Sequence, residues 1–165
     1  MNIKRLLKHL MMPAWLAHRA FRRTDLDAIE AAVRASEHRH CGELRVVIEG
    51  PLDLAEVWRN RPVRQRAVAH FAHQHIWDTE DNSGILLYIQ LVDRRVEIVA
   101  DRGISAKVAQ AQWDAICRAM ENAFRRQAYR QGVLEAIELA TALLARHFPA
   151  TADNPDELPN RPLRV

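Results

Sequence analysis

Residues 77–104, WDTEDNSGILLYIQLVDRRVEIVADRGI, carry oxygen-bearing side chains at both ends of a hydrophobic hairpin. Asp81, Asn82 and Ser83 stand just before the apolar run that begins at Gly84, and Asp101 and Arg102 stand just after the second run. Far upstream, Glu43 opens another alternating stretch, GELRVVIE. Carboxylate, amide, hydroxyl and carbonyl oxygens are the hard donors that calcium and magnesium take. Glu43, Asp81, Asn82 and Asp101 are therefore a candidate ligand set for a divalent cation, Ca²⁺ or Mg²⁺. Arg102 adds a fork of donors that matches a phosphate, and Ser83 and Gly84 can offer backbone N–H groups to the same anion. A metal, a carboxylate and an arginine together could hydrolyse a phosphomonoester through metal-activated water. The same residues have a plainer use, because Asp and Asn close loops through side-chain-to-backbone bonds and an arginine neutralises a nearby acid.

Only strand direction can bring residues so far apart in sequence together. GELRVVIE (42–49) alternates, with Leu44, Val46 and Ile48 on one face and Glu43, Arg45, Val47 and Glu49 on the other, which predicts a strand. GILLYIQL (84–91) is apolar almost throughout, as expected of a central strand covered on both faces. RRVEIVAD (94–101) follows after a connection too short for a crossover, which predicts an antiparallel hairpin. Helices are predicted before the first strand (Leu26, Ile29, Ala32, Val33, with an N-cap at Thr24) and between the first two, where a short one runs to Trp58 and a longer one from Pro62 to near Trp77. Two more follow the hairpin, the first capped by Ser105 and striped by Trp113, Ile116, Cys117, Met120 and Phe124, the second striped by Val133, Leu134, Ile137, Ala140 and Leu144. The fold class is α/β, a three-layer α/β/α sandwich whose small mixed sheet joins a parallel, right-handed βαβ unit to an antiparallel hairpin. In that arrangement the starts of strands one and two and the end of strand three share one edge. Open α/β sheets usually bind ligands at the opposite, carboxyl edge.

Other reactive groups have structural explanations at hand. His70, His73 and His75 are close in sequence, but only the first two share a helical face, and a zinc site would need a distant His38, His40 or Cys41. Cys117 sits on an apolar stripe and is expected in the core, and two cysteines make no disulfide scaffold. The chain contains no G-x-S-x-G, H-E-x-x-H, P-loop or G-x-G-x-x-G.

The net charge of +3 hides an asymmetry. Residues 1–23 hold Lys4, Arg5, Lys8, Arg19, Arg22 and Arg23 and no acid, so the rest carries 18 basic residues against 21 acidic ones. A mildly acidic body argues against nucleic acid as a partner. The arm, 1–23, places Ile3, Leu6, Leu7, Leu10 and Met11 at helical spacing among lysines, an amphipathic pattern suited either to docking on its own domain or to peripheral contact with a membrane or a protein. No stretch has the roughly 18 apolar residues of a spanning helix, and the arm lacks the apolar centre of a secretory signal. The expected location is cytoplasmic, or peripheral to the inner membrane. Residues 24–149 form the expected domain, and 150–165, with three prolines, are expected to lie on the surface or be disordered.

With these segments assembled, the chain resembles the TPM domain family, named partly for a thylakoid-lumen phosphatase. The resemblance rests on GELRVVIE, Trp77, DNSGILLYI, DRRVEIVADRGI and AFRRQAYRQGVLEAI, in that order, across about residues 35–147. It implies an α/β/α sandwich and divalent-cation binding, with phosphatase activity claimed for some members. Asp81, Asn82 and Gly84 match the family's Asp-Asn-Gly loop, and Asp101, Arg102 and Gly103 stand at its glycine-rich turn. The acid that many members carry just after that turn is missing, since residues 104–112 contain none. Many relatives also carry an export signal and a membrane anchor, and this chain looks like a shortened intracellular branch. The resulting expectation is a non-catalytic module that binds a divalent cation or presents an acidic rim to a protein partner. The alternative is a metal-dependent phosphatase in which Asp81 and Asp101 ligate the metal, Glu43 ligates it or acts as base, and Arg102 holds phosphate.

Overall fold

A computed structural model describes residues 3–13, 15, 19–151 and 156–165. Positions 1–2, 14 and 16–18 of the arm and 152–155 of the tail lie outside the described residues. The elements are α1 (Ile3–Met11), α2 (Arg23–Glu37), β1 (Glu43–Glu49), α3 (Leu54–Arg59), α4 (Val63–His73), β2 (Gly84–Gln90), β3 (Arg95–Ala100), α5 (Arg102–Ser105), α6 (Gln110–Arg125), α7 (Tyr129–His147) and β4 (Leu163–Arg164).

The sheet order is β3-β2-β1-β4. β1 and β2 run parallel with Glu43 opposite Gly84, and β2 and β3 run antiparallel with Ile85 opposite Ala100. Alternation sorts the side chains between two cores. Leu44, Val46, Ile48, Ile85, Leu87, Ile89, Val96 and Ile98 meet the stripes of α2, α6 and α7 on one face. Val47, Leu86, Tyr88 and Val99 meet Ala67 of α4, Ile76 and Leu158 on the other. The expected three-layer α/β/α arrangement is present, and every residue of β2 is buried.

Three helix ends differ from expectation for local reasons. α2 starts after Arg22, whose N–H donates to Asp25 Oδ2 at 2.9 Å, so Asp25 and not Thr24 closes that end. α4 stops at His73, short of Trp77. His75 adopts φ 52° there, and Ile76 N–H returns to Phe71 O while His75 N–H returns to Ala72 O, the paired bonds that terminate helices through a left-handed residue. Ser105 caps nothing; its hydroxyl donates to Ala100 O, and α6 begins later, after Ala109.

The largest difference is the tail. Among its described residues, Leu163 and Arg164 add a strand parallel to β1, opposite Val47 and Ile48. The polar side of β1 requires this cover. Arg45 is 6% exposed, and its Nη1 donates to Pro159 O and Arg161 O at 2.6 Å each. A buried guanidinium must find acceptors, and the tail's carbonyls supply them.

Candidate cation site

The predicted edge forms. Glu43 N–H donates to Ser83 O at 3.0 Å and Asp101 N–H to Gly84 O at 2.9 Å, which ties the starts of β1 and β2 to the end of β3. The side chains along it divide into two groups.

In the first, Asn82 adopts φ 52° and its Oδ1 accepts from Arg102 Nε at 2.7 Å. Gly103 N–H donates to Asn82 O at 3.2 Å. A Cβ on Gly103 would stand 2.7 Å from the carbonyl oxygens of both Asp81 and Asn82, so glycine lets the two loops touch. Asp101 Oδ1 accepts from Arg102 N–H at 2.7 Å and caps α5, while Asp101 Oδ2 is buried without a hydrogen-bond partner. Asp81 is exposed. Ser83 is buried with its N–H committed to Thr79 Oγ1 at 2.9 Å, so that donor is closed to an anion. Gly84 sits against Ile76, whose carbonyl oxygen a Cβ would approach to 1.8 Å. Asn82, Asp101 and Arg102 are thus joined, and Arg102 spends its Nε on Asn82.

Glu43 belongs to the second group. Its side chain, 1% exposed, meets Glu37 from the end of α2 and Asp156 from the tail, and one ligand atom from each lies within 4.8 Å of the others. Among the described residues no other trio of His, Cys, Asp or Glu is that compact, so Glu43 does not close with Asp81 and Asp101. Leu158 N–H donates to Glu43 Oε2 at 3.1 Å. Asn160 Nδ2 donates to Glu37 Oε2 at 3.2 Å and to Asp156 Oδ2 at 2.9 Å. Asn160 is 7% exposed, and its Oδ1 is buried without a hydrogen-bond partner. Burial, then the charges of Asp156 and Glu43, push the Glu37 carboxyl up to about 7. Burial pushes Glu43 up to about 7 as well, against the opposing Leu158 N–H. A divalent cation would offset this crowding of negative charge, and three carboxylates with an orphan amide oxygen are the hard donor set that calcium or magnesium prefers. The residues present therefore fit such an ion.

Glu37, Asp156 and Asn160 were missed by sequence reasoning. Glu37 had a signal, because it follows Leu26, Ile29 and Val33 at helical spacing and so places an acid on a buried stripe. Asp156 and Asn160 lie in an irregular segment and carry no periodic signal.

The opposite, carboxyl edge of β1 and β2 holds a network that is satisfied internally. Glu49 accepts from Tyr88 Oη and from Arg66, whose Nε is 2.9 Å from Glu49 Oε2, and Arg66 Nη1 donates to Glu56 Oε2 at 2.7 Å. His70 stacks on Tyr88 at 5.3 Å and places Nε2 3.4 Å from Glu49 Oε1. Burial would raise the Glu49 carboxyl, but the bonds from His70, Arg66 and Tyr88 hold it down at about 2. His73 turns to Ala69 O, so the histidines do not gather into a zinc site among the described residues. His40 is fully buried, its Nδ1 accepting from Gly42 N–H, and Cys41 Sγ faces Pro149 O. Burial pushes the Cys117 thiol up to about 12, in keeping with a packing role.

The model of the TPM domain matches residues 18–143. Among solved structures, the chain is similar to the BA42 protein of the psychrophilic bacterium Bizionia argentinensis, determined by NMR. That similarity has a TM-score of 0.77 and 30% identity over 88% of this chain and 95% of the other. It also shares its fold with the N-terminal domain of a protein from P. gingivalis, with a TM-score of 0.63 and 18% identity over 78% of each chain. No curated protein matches.

Proposed function

The chain belongs to the TPM domain family, and we propose that it works there as a non-catalytic module that binds a divalent cation, Ca²⁺ or Mg²⁺, between Glu37, Glu43, Asp156 and Asn160. The observation that carries this reading is the orphan Oδ1 of a buried Asn160 beside three crowded carboxylates. A carboxamide can present either its NH₂ or its oxygen to a neighbour, and a cation would select the oxygen. Glu37 and Glu43 are 8% and 1% exposed, which suits an ion and not the face of a protein partner. The phosphatase arrangement would set Arg102 beside the metal to hold phosphate, and Arg102 is bonded to Asn82, in the other group.

Melting of the purified protein in EDTA and with added Ca²⁺ or Mg²⁺ tests the reading. A ligand that binds only the folded state at about 100 times its Kd adds about 2.7 kcal/mol, so the melting temperature should rise by several degrees. Glu43→Gln should abolish the rise and Asp81→Asn should leave it intact, with no turnover of p-nitrophenyl phosphate in any variant. Indifference of wild-type melting to both ions would end the proposal. The unpartnered Asp101 Oδ2 favours a second reading, with the ion at the Asn82 and Asp101 loops. A rise lost in Asp101→Asn but kept in Glu43→Gln would select it.

A further inference from the structure

An amphipathic helix that docks on its own domain normally turns its apolar stripe inward. α1 does the reverse. Its buried residue is His9, 3% exposed, whose Nδ1 accepts from Leu52 N–H at 3.0 Å and whose Nε2 lies 3.3 Å from Asp93 Oδ1. One turn earlier, Arg5 places Nε 2.9 Å from Asp93 Oδ2 and donates through Nη1 to Asn60 Oδ1 at 2.9 Å. The half-buried Asp93, in the β2–β3 turn, thus fastens the helix by its polar side. Ile3, Leu7, Leu10 and Met11 are left 58%, 48%, 62% and 77% exposed. At 3.6 residues per turn they occupy an arc of roughly 100°, and its middle lies opposite His9.

α3 packs beside α1 and adds Leu54 and Trp58, 49% and 73% exposed and one turn apart. Lys4 and Lys8 flank the stripe on α1 and are exposed. Lys8 lies within electrostatic reach of Arg5 and Arg94, with Asp93 the acid among them and already bonded to Arg5. α1 has no acidic residue. The result is an exposed apolar ridge with a basic border and a neighbouring tryptophan.

We propose that this ridge is a docking surface for an anionic lipid bilayer, with Leu7, Leu10, Met11 and Trp58 entering the interface and Lys4 and Lys8 meeting the headgroups. An exposed apolar stripe beside lysines suits the membrane interface, in which interfacial helices sink their apolar face roughly 5–10 Å while cations stay at the headgroups. The basic border supplies the charge complementarity. Asp93 holds α1 in the presenting orientation, so the helix is prepared before contact. The surface shares no residue with the cation cluster.

Flotation of the full chain with vesicles tests the proposal. The protein should rise with phosphatidylcholine vesicles containing phosphatidylglycerol and stay behind with phosphatidylcholine alone. A Lys4→Ala/Lys8→Ala variant should bind about thirtyfold more weakly, since each cation near an anionic surface is worth roughly fivefold in affinity. A Leu7→Glu/Leu10→Glu variant should not float, and because both side chains are exposed it should melt like wild type. Failure of the wild type to float on anionic vesicles, or undiminished flotation of the glutamate variant, would overturn the proposal. So would absence of flotation together with self-association in sedimentation velocity that the glutamate pair abolishes, which would assign the ridge to a second copy of the chain.

Discussion

Glu43 illustrates how a residue's neighbours, and not its position in a strand, decide its chemistry. It begins β1 at the predicted edge, yet its carboxyl turns to Glu37 and Asp156, not to Asp81 and Asp101. Asn82, Asp101 and Arg102 meet as expected but satisfy one another in large part. Glycines set the close approaches that make both arrangements possible. At Gly84 a Cβ would stand 1.8 Å from the Ile76 carbonyl oxygen, and backbone cannot swing aside as a flexible side chain can. Gly84→Ala should therefore destabilise by about 3 kcal/mol, the upper end of ordinary overpacking. Urea unfolding should show a lowered midpoint with an unchanged slope.

Among the elements, the tail does the most that its composition conceals. Residues 156–165 complete the acidic cluster through Asp156 and Asn160, supply carbonyls to Arg45, bury Leu158 and pack a partly buried Leu163 against the second core, and add β4. A chain ending at Thr151 should lose roughly 4–5 kcal/mol, the order expected for losing the burial of Leu158 and the partial burial of Leu163 and leaving Arg45 without acceptors. It should also lose any cation-dependent rise in melting. Amide exchange at Gly50, whose N–H donates to Val165 O in the full chain, should become fast. α1 makes the complementary point: helical periodicity identified an amphipathic arm, but which side faces the domain depended on Asp93.

For the whole molecule, the buried titrating groups predict how stability depends on pH without a divalent ion. Glu37 and Glu43, raised to about 7, favour folding while protonated, and their contribution falls away as pH rises from the unfolded carboxyl range through 7. His40, which burial lowers to about 4, works the other way between its ordinary value and 4 and cancels one of the two. Glu49 and Asp93 are held at about 2, by His70, Arg66 and Tyr88 and by His9 and Arg5 respectively, so their contribution is lost as pH falls from about 4 toward 2. In EDTA the melting temperature should peak near about pH 5, decline to a plateau above about pH 7, and drop steeply in acid. Glu43→Gln should flatten the decline on the alkaline side. Among the described residues no helix is long and apolar enough to cross a membrane.

The three-layer class, the order of β1, β2 and β3, the stripes of α2, α6 and α7 and the shared sheet edge were all legible in the sequence. Each of these follows from a period of two or 3.6 residues, or from the length of a connection, which are local quantities that side-chain hydrophobicity writes directly into the chain. The partners of Glu43, the strand in the proline-rich tail and the outward face of α1 were not. They depend on where a buried charge finds its counterpart, as Arg45 does at the carbonyls of Pro159 and Arg161 and Asp93 at Arg5 and His9. Desolvation makes such pairing obligatory without specifying the partner's place in the sequence, so only the tertiary structure decides it.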